Sequence, residues 1–411
     1  MFGVNKIAIQ FSVRNLLRQK GRTLMTLASL IFGVTGLILS GGFVEDIFIQ
    51  LREATIQSRL GHMQIYRQGF YENSTKEPYK YMIENPGSVE EYLGKLPIVE
   101  QSMKRIQFFG LINNGKTDMP IFGEGVEPGK EAAQLGDFFR IIDGRQITDD
   151  DEYGILLGEG VASAMDLSVG DDITVLANSP DGGLNSVELS VVGVFRTFSK
   201  DFDARAVRVT LPAAQELLYV ESVHAIVVSI ADTLQTDWLA NGLKEKIGDK
   251  GYEIKTWFEL DDFYAKTVEL YKAQLGVLQL IILLVVLLSV GNSVSMTAYE
   301  RVGEFGTLKA LGKSSKDVHR LIIIESVILG VIGSALGVLV GVGLAALISA
   351  IGIPMPPPPG SNTGYTAYIR IVPMTLLIAF FIGFVATFLS ALFAARGASK
   401  VPVVDALREN I

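Results

Sequence analysis

The sequence of 411 residues contains no cysteine. The missing thiols exclude disulfide bridges, cysteine-ligated zinc or iron–sulfur centres, and thiol catalysis. Charged residues are also scarce, at 19% where soluble proteins have about 25%, while 49% of residues are hydrophobic. Mean hydropathy is +0.35, so a soluble globular protein is disfavoured. The 36 basic and 44 acidic residues give a net charge of −8, without the basic excess typical of nucleic-acid binding.

Patterns for catalysis and metal binding are missing as well. The acidic run 149–152 lacks the alternating ligands and the Gly of a calcium loop, so a solvated loop is predicted. The stretch 312–315 resembles the end of a phosphate-binding loop, but Thr307 stands where that motif requires Gly. We therefore expect no catalytic residue, metal or cofactor in this chain. Three histidines are predicted to fall on a stalk exit, a strand start and the loop after the second span, so they are not expected to share a site: His62, His224 and His319.

Four apolar segments are long enough to cross a membrane, which takes about 20 residues. A basic stretch precedes the first of them, as in a signal peptide. That segment is longer than a signal-peptide core and has no A-x-A-like cleavage site after it, so an uncleaved anchor is predicted. The predicted spans are 23–43, 273–297, 321–351 and 371–395.

The distribution of Lys and Arg orients these spans, because basic loops stay in the cytoplasm. Segments 1–22, 298–320 and 396–411 together carry a net charge of +8, and the remainder of the chain carries −16. Both termini and the 298–320 loop are therefore predicted to be cytoplasmic. Residues 44–272 and the 352–370 loop are predicted to lie outside.

The outer segment 44–272 is long enough for one or two folded domains. Its ends are predicted to be helical stalks, because 44–60 continues the first span and the stretch from Leu260 leads into the second without Pro or Gly. An Asn-Gly turn between two apolar runs predicts a hairpin over 106–122. Alternating patterns predict further strands at 187–195 and 205–211, a β-α-β unit over 225–256, and loops at 130–153 and 196–204. The fold class is an α-helical membrane protein with four transmembrane helices plus a large α+β extracytoplasmic domain.

The cytoplasmic loop contains a short amphipathic pattern. Phe305, Leu308 and Leu311 recur at helical spacing with charged residues between them, and Gly312 is expected at the C-terminal cap. From the residues alone, a helix that contacts a partner and an ordinary interfacial helix are equally open readings.

The string Glu300-Arg301-x-Gly-Glu-Phe-Gly-Thr-Leu-Lys-Ala-Leu-Gly resembles the cytoplasmic segment of FtsX-like permeases of ABC transporters. In the outer segment, Gly158, Val169–Ile173 and Val192–Phe195 resemble a MacB-like periplasmic core. The stretch 394–408 resembles the end of the same family. Within it, Gly61–Tyr66 is most similar to the lipoprotein-releasing LolC/LolE permeases.

The resemblance implies a permease subunit in the bacterial inner membrane that transmits the motion of a separate ABC ATPase to its outer domain. ATP and Mg would bind that ATPase, not this chain. Further implied partners are a second permease chain, membrane lipids and a periplasmic lipoprotein or lipid carrier. The implied ATPase-coupling residues are Glu300, Arg301, Glu304, Phe305, Gly306, Leu308, Lys309 and Leu311.

Two further residue sets are expected to matter. An apolar wall for lipid-anchored cargo is predicted at Leu37, Phe43, Ile47 and Leu51, with ordinary packing as the alternative at each position. Small residues every four positions in the third span, Gly333, Gly337 and Gly341, predict close helix packing, within the chain rather than between chains.

Three functions remain open. The first is extraction of lipoprotein or lipid from the outer leaflet of the inner membrane. The second is an FtsX-like signal transducer that activates a cell-wall hydrolase. The third is a MacB-like efflux permease, which usually carries its own ATPase domain.

Overall fold

The computed structural model describes residues 14, 18, 20–74, 76–136, 138–357 and 364–399. Most of the predicted cytoplasmic segments 1–22 and 396–411 lies outside these residues, as does the family-like ending at 402–408. The described elements, in chain order, are α1 (Lys20–Thr55), a π-helical turn (Ile56–Leu60), β1 (Met63–Arg67), α2 (Phe70–Asn73), α3 (Pro86–Gly94), β2 (Val99–Asn113), β3 (Asp118–Val126), α4 (Pro128–Gln134), β4 (Phe139–Gly144), β5 (Gly154–Gly158), α5 (Glu159–Met165), β6 (Asp172–Asn178), β7 (Leu184–Thr197), α6 (Lys200–Asp203), β8 (Ala206–Thr210), α7 (Leu211–Leu218), β9 (Ala225–Ile230), α8 (Thr236–Ile247), β10 (Tyr252–Thr256), α9 (Trp257–Leu260), α10 (Asp262–Glu300), α11 (Val302–Ala310), α12 (Ser315–Ile351), β11 (Ile353–Met355), β12 (Tyr365–Ala367) and α13 (Pro373–Ser399).

The chain forms two compact units. The membrane unit comprises residues up to 48, 268–354 and 366 onward, and the outer unit comprises 49–267 and 355–365. Among the described residues, four helices are long and apolar enough to span a membrane, which confirms the predicted number: α1, α10, α12 and α13. Two of them continue well beyond the predicted spans, α1 to Thr55 and α10 from Asp262.

Three glycines of α12 allow α1 to pack closely against it in the membrane unit. Gly333, Gly337 and Gly341 lie on one helix face because they are four residues apart. A Cβ atom added at Gly337 would lie 2.7 Å from the Cβ of Val34. The three glycines contact successive turns of α1, at Leu30, Val34 and Ile38. These contacts lie within one chain.

The strands of the outer unit form a single ten-stranded sheet. Six of them, β2, β3, β8, β5, β7 and β6, pair successively into a closed circuit, since β6 pairs with both β7 and β2. From β2 the sheet continues through β9 and β1 to β10, and β4 extends it from β7. Its core holds about three dozen buried residues from the strands and from helices α3, α5, α7 and α8.

The predicted hairpin and strands are confirmed by the structure. Strands β2 and β3 pair antiparallel, from Asn113 opposite Asp118 beside the turn to Ile106 opposite Gly125. Gly115 in the turn has φ +81°. The β-α-β unit is present as β9, α8 and β10, but its two strands flank β1 and pair with it antiparallel. Sequence order gave no indication that β1 lies between them.

Two predicted loops were wrong. The stretch 130–153 contains most of α4 and all of β4, and the stretch 196–204 contains α6. Strand β4 lies at the edge of the sheet, where pairing with β7 rather than its own residue pattern defines it. The predicted second stalk is helical and continuous with the second span, but its helix, α10, begins at Asp262 rather than at Leu260. The carboxylate of Asp261 accepts a hydrogen bond (3.1 Å) from the backbone N–H of Tyr264, as is typical of Asp at a helix N-cap.

Candidate functional site: the coupling helix and the stalks

The amphipathic segment of the 298–320 loop forms helix α11, which we call the coupling helix. It follows α10 after one residue, Arg301, and Gly312 comes shortly after its end with φ +92°. Ser314 then caps α12 through a capping box with Asp317. The third membrane helix therefore starts at Ser315 and includes His319, which was predicted to lie in the loop.

The apolar face of the coupling helix packs on its own chain. Phe305 is 2% exposed and lies in a cluster with Val318, Ile322 and Ala395 from α12 and α13. Gly306 is buried beside it. Phe305 and Gly306, two of the predicted ATPase-coupling residues, are buried in this packing, and Phe305 anchors the helix to its own chain.

A network of charges holds the start of the coupling helix. The buried guanidinium of Arg301 donates to Glu325 in α12 (Nη1–Oε2, 2.6 Å) and to Glu304 (Nε–Oε2, 3.0 Å). Glu304 also pairs with Arg18 at 3.3 Å. The Arg301 guanidinium lies 5.1 Å from the centre of the Phe305 ring, a cation–π contact. These contacts join the coupling helix to two other parts of the membrane unit.

Glu325 is the residue of this network that sequence reasoning missed. It is 7% exposed in α12, where it is the last charged residue before the long apolar part of the helix. An acidic residue inside an apolar stretch is rare without a partner, and this rarity was the available signal.

The end of the coupling helix is exposed. Thr307 and Ala310 face outward, and Leu311 is 78% exposed. Leu308 and Lys309 are half-buried, and Glu300 at the end of α10 is exposed. Of the eight predicted coupling residues, Arg301, Phe305 and Gly306 are buried, Glu304, Leu308 and Lys309 are half-buried, and Glu300 and Leu311 are exposed.

An apolar groove lies between α1 and α10 in the membrane unit. Its volume is about 300 Å³, and most of its lining is apolar. Phe32 on α1 is 83% exposed at this groove, and Val285 on α10 is 60% exposed. Two glycines of α1, Gly33 and Gly36, open the space.

The four residues predicted as a cargo wall do not form one surface. Leu37 is 3% exposed and packs in a cluster with Val34, Ile38 and Ala379, so it belongs to the bundle interior. Phe43 and Ile47 are half-buried, and Leu51 is 8% exposed. The most exposed large apolar side chains of α1 lie before these positions, at Leu24, Met25 and Phe32.

The Gly61-His62 pair marks the point where the first stalk enters the sheet. Gly61 has φ +66°, a conformation that favours glycine. The imidazole of His62 accepts from the Ile230 N–H through Nδ1 (3.3 Å) and lies 3.1 Å from the Thr233 hydroxyl through Nε2. That hydroxyl donates in turn to Glu53 on the stalk (3.3 Å). Burial lowers the pKa of His62 to about 4, so the ring is neutral at pH 7.

The described residues contain no cluster of three or more His, Asp or Glu side chains able to hold a metal ion.

Two parts of the chain match models of known protein families. Residues 23–246 match the MacB-like periplasmic core domain, and residues 276–403 match the FtsX-like permease C-terminal domain. The chain belongs to the FtsX-like, MacB-like permease family of ABC transporters. Permeases of this family work with ATPase subunits, and the four membrane helices with the large outer domain agree with this assignment.

Relatives match over most of the chain at low identity. The chain is 22% identical to the lipoprotein-releasing system transmembrane protein LolC of Neisseria meningitidis, over 78% of this chain and 76% of that protein. It is 24% identical to an uncharacterized ABC transporter permease, YvrN, of Bacillus subtilis, over 97% and 98%. A third relative, an uncharacterized ABC transporter permease of Methanocaldococcus jannaschii, is 25% identical over 66% of each chain.

Proposed function

We propose that this permease couples ATP hydrolysis by a separate ATPase to the extraction of a lipid-anchored protein or a lipid from the outer leaflet. The observation that carries the proposal is the division of the coupling helix into an anchored face and an exposed end. Phe305 and Arg301 fix the helix to α12, so a push on exposed Leu311 moves the membrane bundle rather than the helix alone.

Two observations support a lipid-anchored cargo. The similarity to LolC covers more than three quarters of both chains. The groove between α1 and α10 presents apolar side chains such as Phe32 and Val285. Moving an acyl chain from the bilayer into water costs about 0.8 kcal/mol of free energy for each CH₂ group. A protein that extracts such a chain therefore needs an apolar surface to receive it.

Affinity purification of the tagged chain from native membranes in mild detergent, followed by mass spectrometry, tests the proposal. We expect an ABC ATPase together with lipoproteins or a lipid carrier. An ATPase accompanied by a cell-wall hydrolase would support the signal transducer instead, and an adaptor with an outer-membrane channel would support the efflux permease. Absence of any ATPase would contradict all three.

A further inference from the structure

The last turn of the first stalk ends in a buried, charged socket of the outer unit. The π-helical turn Ile56–Leu60 would leave its carbonyl groups without partners, as every helix end does. Side chains from the sheet and from α4 donate to four of these five carbonyls. We call this set of six residues the stalk socket: Gln64, Arg105, Glu124, Glu131, Gln134 and Arg208.

Each donor of the socket takes a different carbonyl. Arg208 donates to the Ser58 carbonyl (Nη2–O, 3.0 Å), and Arg105 donates to that of Arg59. Gln64 donates to the Leu60 carbonyl at 2.8 Å. Gln134 donates to the Ile56 carbonyl at 3.4 Å, which also accepts from the Gly61 N–H.

The two arginines are themselves held by two buried glutamates. Arg105 pairs with Glu131 at 2.6 Å, and Arg208 pairs with Glu124 at 3.0 Å. Longer contacts of 3.8 and 3.4 Å join the pairs crosswise into one group. All four side chains are between 1% and 3% exposed. The Arg208 guanidinium also lies over the Phe139 ring at 4.6 Å.

This arrangement is costly for a simple tether. Removing four charges from water carries a desolvation penalty of several kcal/mol per ion before the pairing offsets it. Attachment of the stalk to the sheet needs only the continuous chain. Cations at the C-terminal end of a helix, hydrogen-bonded in a low-dielectric surrounding, instead fix the direction of the helix axis.

We propose that the stalk socket is a rigid mechanical joint that makes the outer sheet follow every movement of the first stalk. Arg105 and Arg208 are positioning residues in this joint, because they act through the carbonyls of the stalk. The inference rests on the proposed function, since the movement is supplied by the ATPase.

Spin-label distances test the joint, and the absence of native cysteine makes the labelling specific. One pair, Gln50→Cys with Lys116→Cys, joins the stalk to the hairpin turn of the sheet. A second pair, Gln50→Cys with Lys316→Cys, joins the stalk to the start of α12. Both are measured in the complex with its co-purified ATPase, without nucleotide and after trapping with ATP and vanadate.

In the otherwise unchanged chain, we expect the second distance to change on trapping, while the first stays narrow and constant. With Arg208→Met, the first distance should broaden or shift on trapping while the second responds as before. Arg196→Met is the matched control, because Arg196 pairs with Glu159 (2.7 Å) in the same unit without contacting the stalk, and it should leave the first distance unchanged.

The outcomes separate the two proposals. A constant second distance in the unchanged chain would contradict the proposed function. A second distance that changes while Arg208→Met leaves the first narrow and constant would overturn the joint. If Arg208→Met does not fold, Gln64→Leu is used instead, because it removes one donor to a stalk carbonyl without leaving a buried charge. The same two distances are then measured, and the same outcomes support or overturn the joint.

Discussion

Phe305 and Leu311 belong to the same amphipathic repeat, yet one is buried against α12 and the other is 78% exposed. The sequence predicted the repeat correctly because helical periodicity is local. The family resemblance implied a coupling role for both residues, and periodicity alone does not reveal which surface each part of an apolar stripe contacts. The covering residues, Val318, Ile322 and Ala395, come from distant parts of the chain.

Replacing Leu311 by Asp should weaken binding of the ATPase about tenfold while the permease remains stable. A tenfold loss corresponds to about 1.4 kcal/mol, the size expected when a charge replaces one of the few apolar residues that carry most of the energy of an interface. Binding is measured by titrating the purified ATPase onto the permease in nanodiscs, and stability is measured by thermal unfolding.

Phe305→Ala is the comparison for this variant. It should lose about 3 to 5 kcal/mol of stability, because a buried aromatic side chain leaves a cavity. Equal loss of stability in both variants, or unchanged ATPase binding with Leu311→Asp, would contradict the division of the coupling helix.

Acid should destabilise the outer unit through its buried histidines. Burial lowers the pKa of both His62 and His224 from 6.5 to about 4. Between pH 6.5 and pH 4 the unfolded chain therefore binds more protons than the folded chain. The free energy of unfolding is consequently highest above pH 6.5 and falls as the pH drops toward 4. At pH 5 the loss is about 2 kcal/mol for each imidazole.

The unfolding midpoint of the full chain in detergent should consequently be lower at pH 5 than at pH 7.5. His62→Gln should reduce this difference, since the amide can hydrogen-bond both neighbours without titrating. A difference as large in this variant as in the unchanged chain would show that His62 is not responsible.

At the scale of elements, local patterns predicted the long helices and the Val-rich strands. They failed for elements whose secondary structure depends on pairing with a strand that is distant in the sequence. Strand β4 exists because β7 provides a partner, and α4 fell in a polar stretch read as a loop. That helix carries Glu131 and Gln134 of the stalk socket, so the socket was also missed. Buried charges from separate elements become visible as a cluster only once the chain is folded.

The packing of α12 on α1 predicts a sharp difference between two glycines of the same helix. Gly337→Ala should lower the unfolding midpoint, because its Cβ would lie 2.7 Å from Val34, and such overpacking costs about 1 to 3 kcal/mol. Gly343→Ala should leave the midpoint unchanged or slightly higher, because no atom lies within 4 Å of that position. Equal effects of the two substitutions would argue against this helix contact.

At the scale of the whole molecule, the composition and spans predicted the membrane class, and the motifs predicted the family. The order of the ten strands and the closed circuit through β6 lay beyond the sequence, because pairing between distant strands leaves no local pattern. The partition of Lys and Arg remains a prediction about sidedness.

Sidedness is testable with single cysteines in the cysteine-free chain. In intact spheroplasts, a membrane-impermeant maleimide should label Lys116→Cys in the outer hairpin and leave Lys316→Cys unlabelled until the membrane is opened. Both positions are exposed in the structure, so burial does not explain a difference. The reverse labelling would invert the topology.

The central claim is that ATP energy received at the coupling helix extracts a lipid-anchored molecule. The most direct measurement reconstitutes the permease with its co-purified ATPase in proteoliposomes containing lipoproteins from the same membrane, and follows lipoprotein released into the aqueous phase. We predict release that requires ATP and is strongly reduced by Leu311→Asp at ATPase concentrations near the dissociation constant of the unchanged complex. ATP hydrolysis without release of any lipoprotein or lipid, in the unchanged complex with its carrier present, would contradict the account.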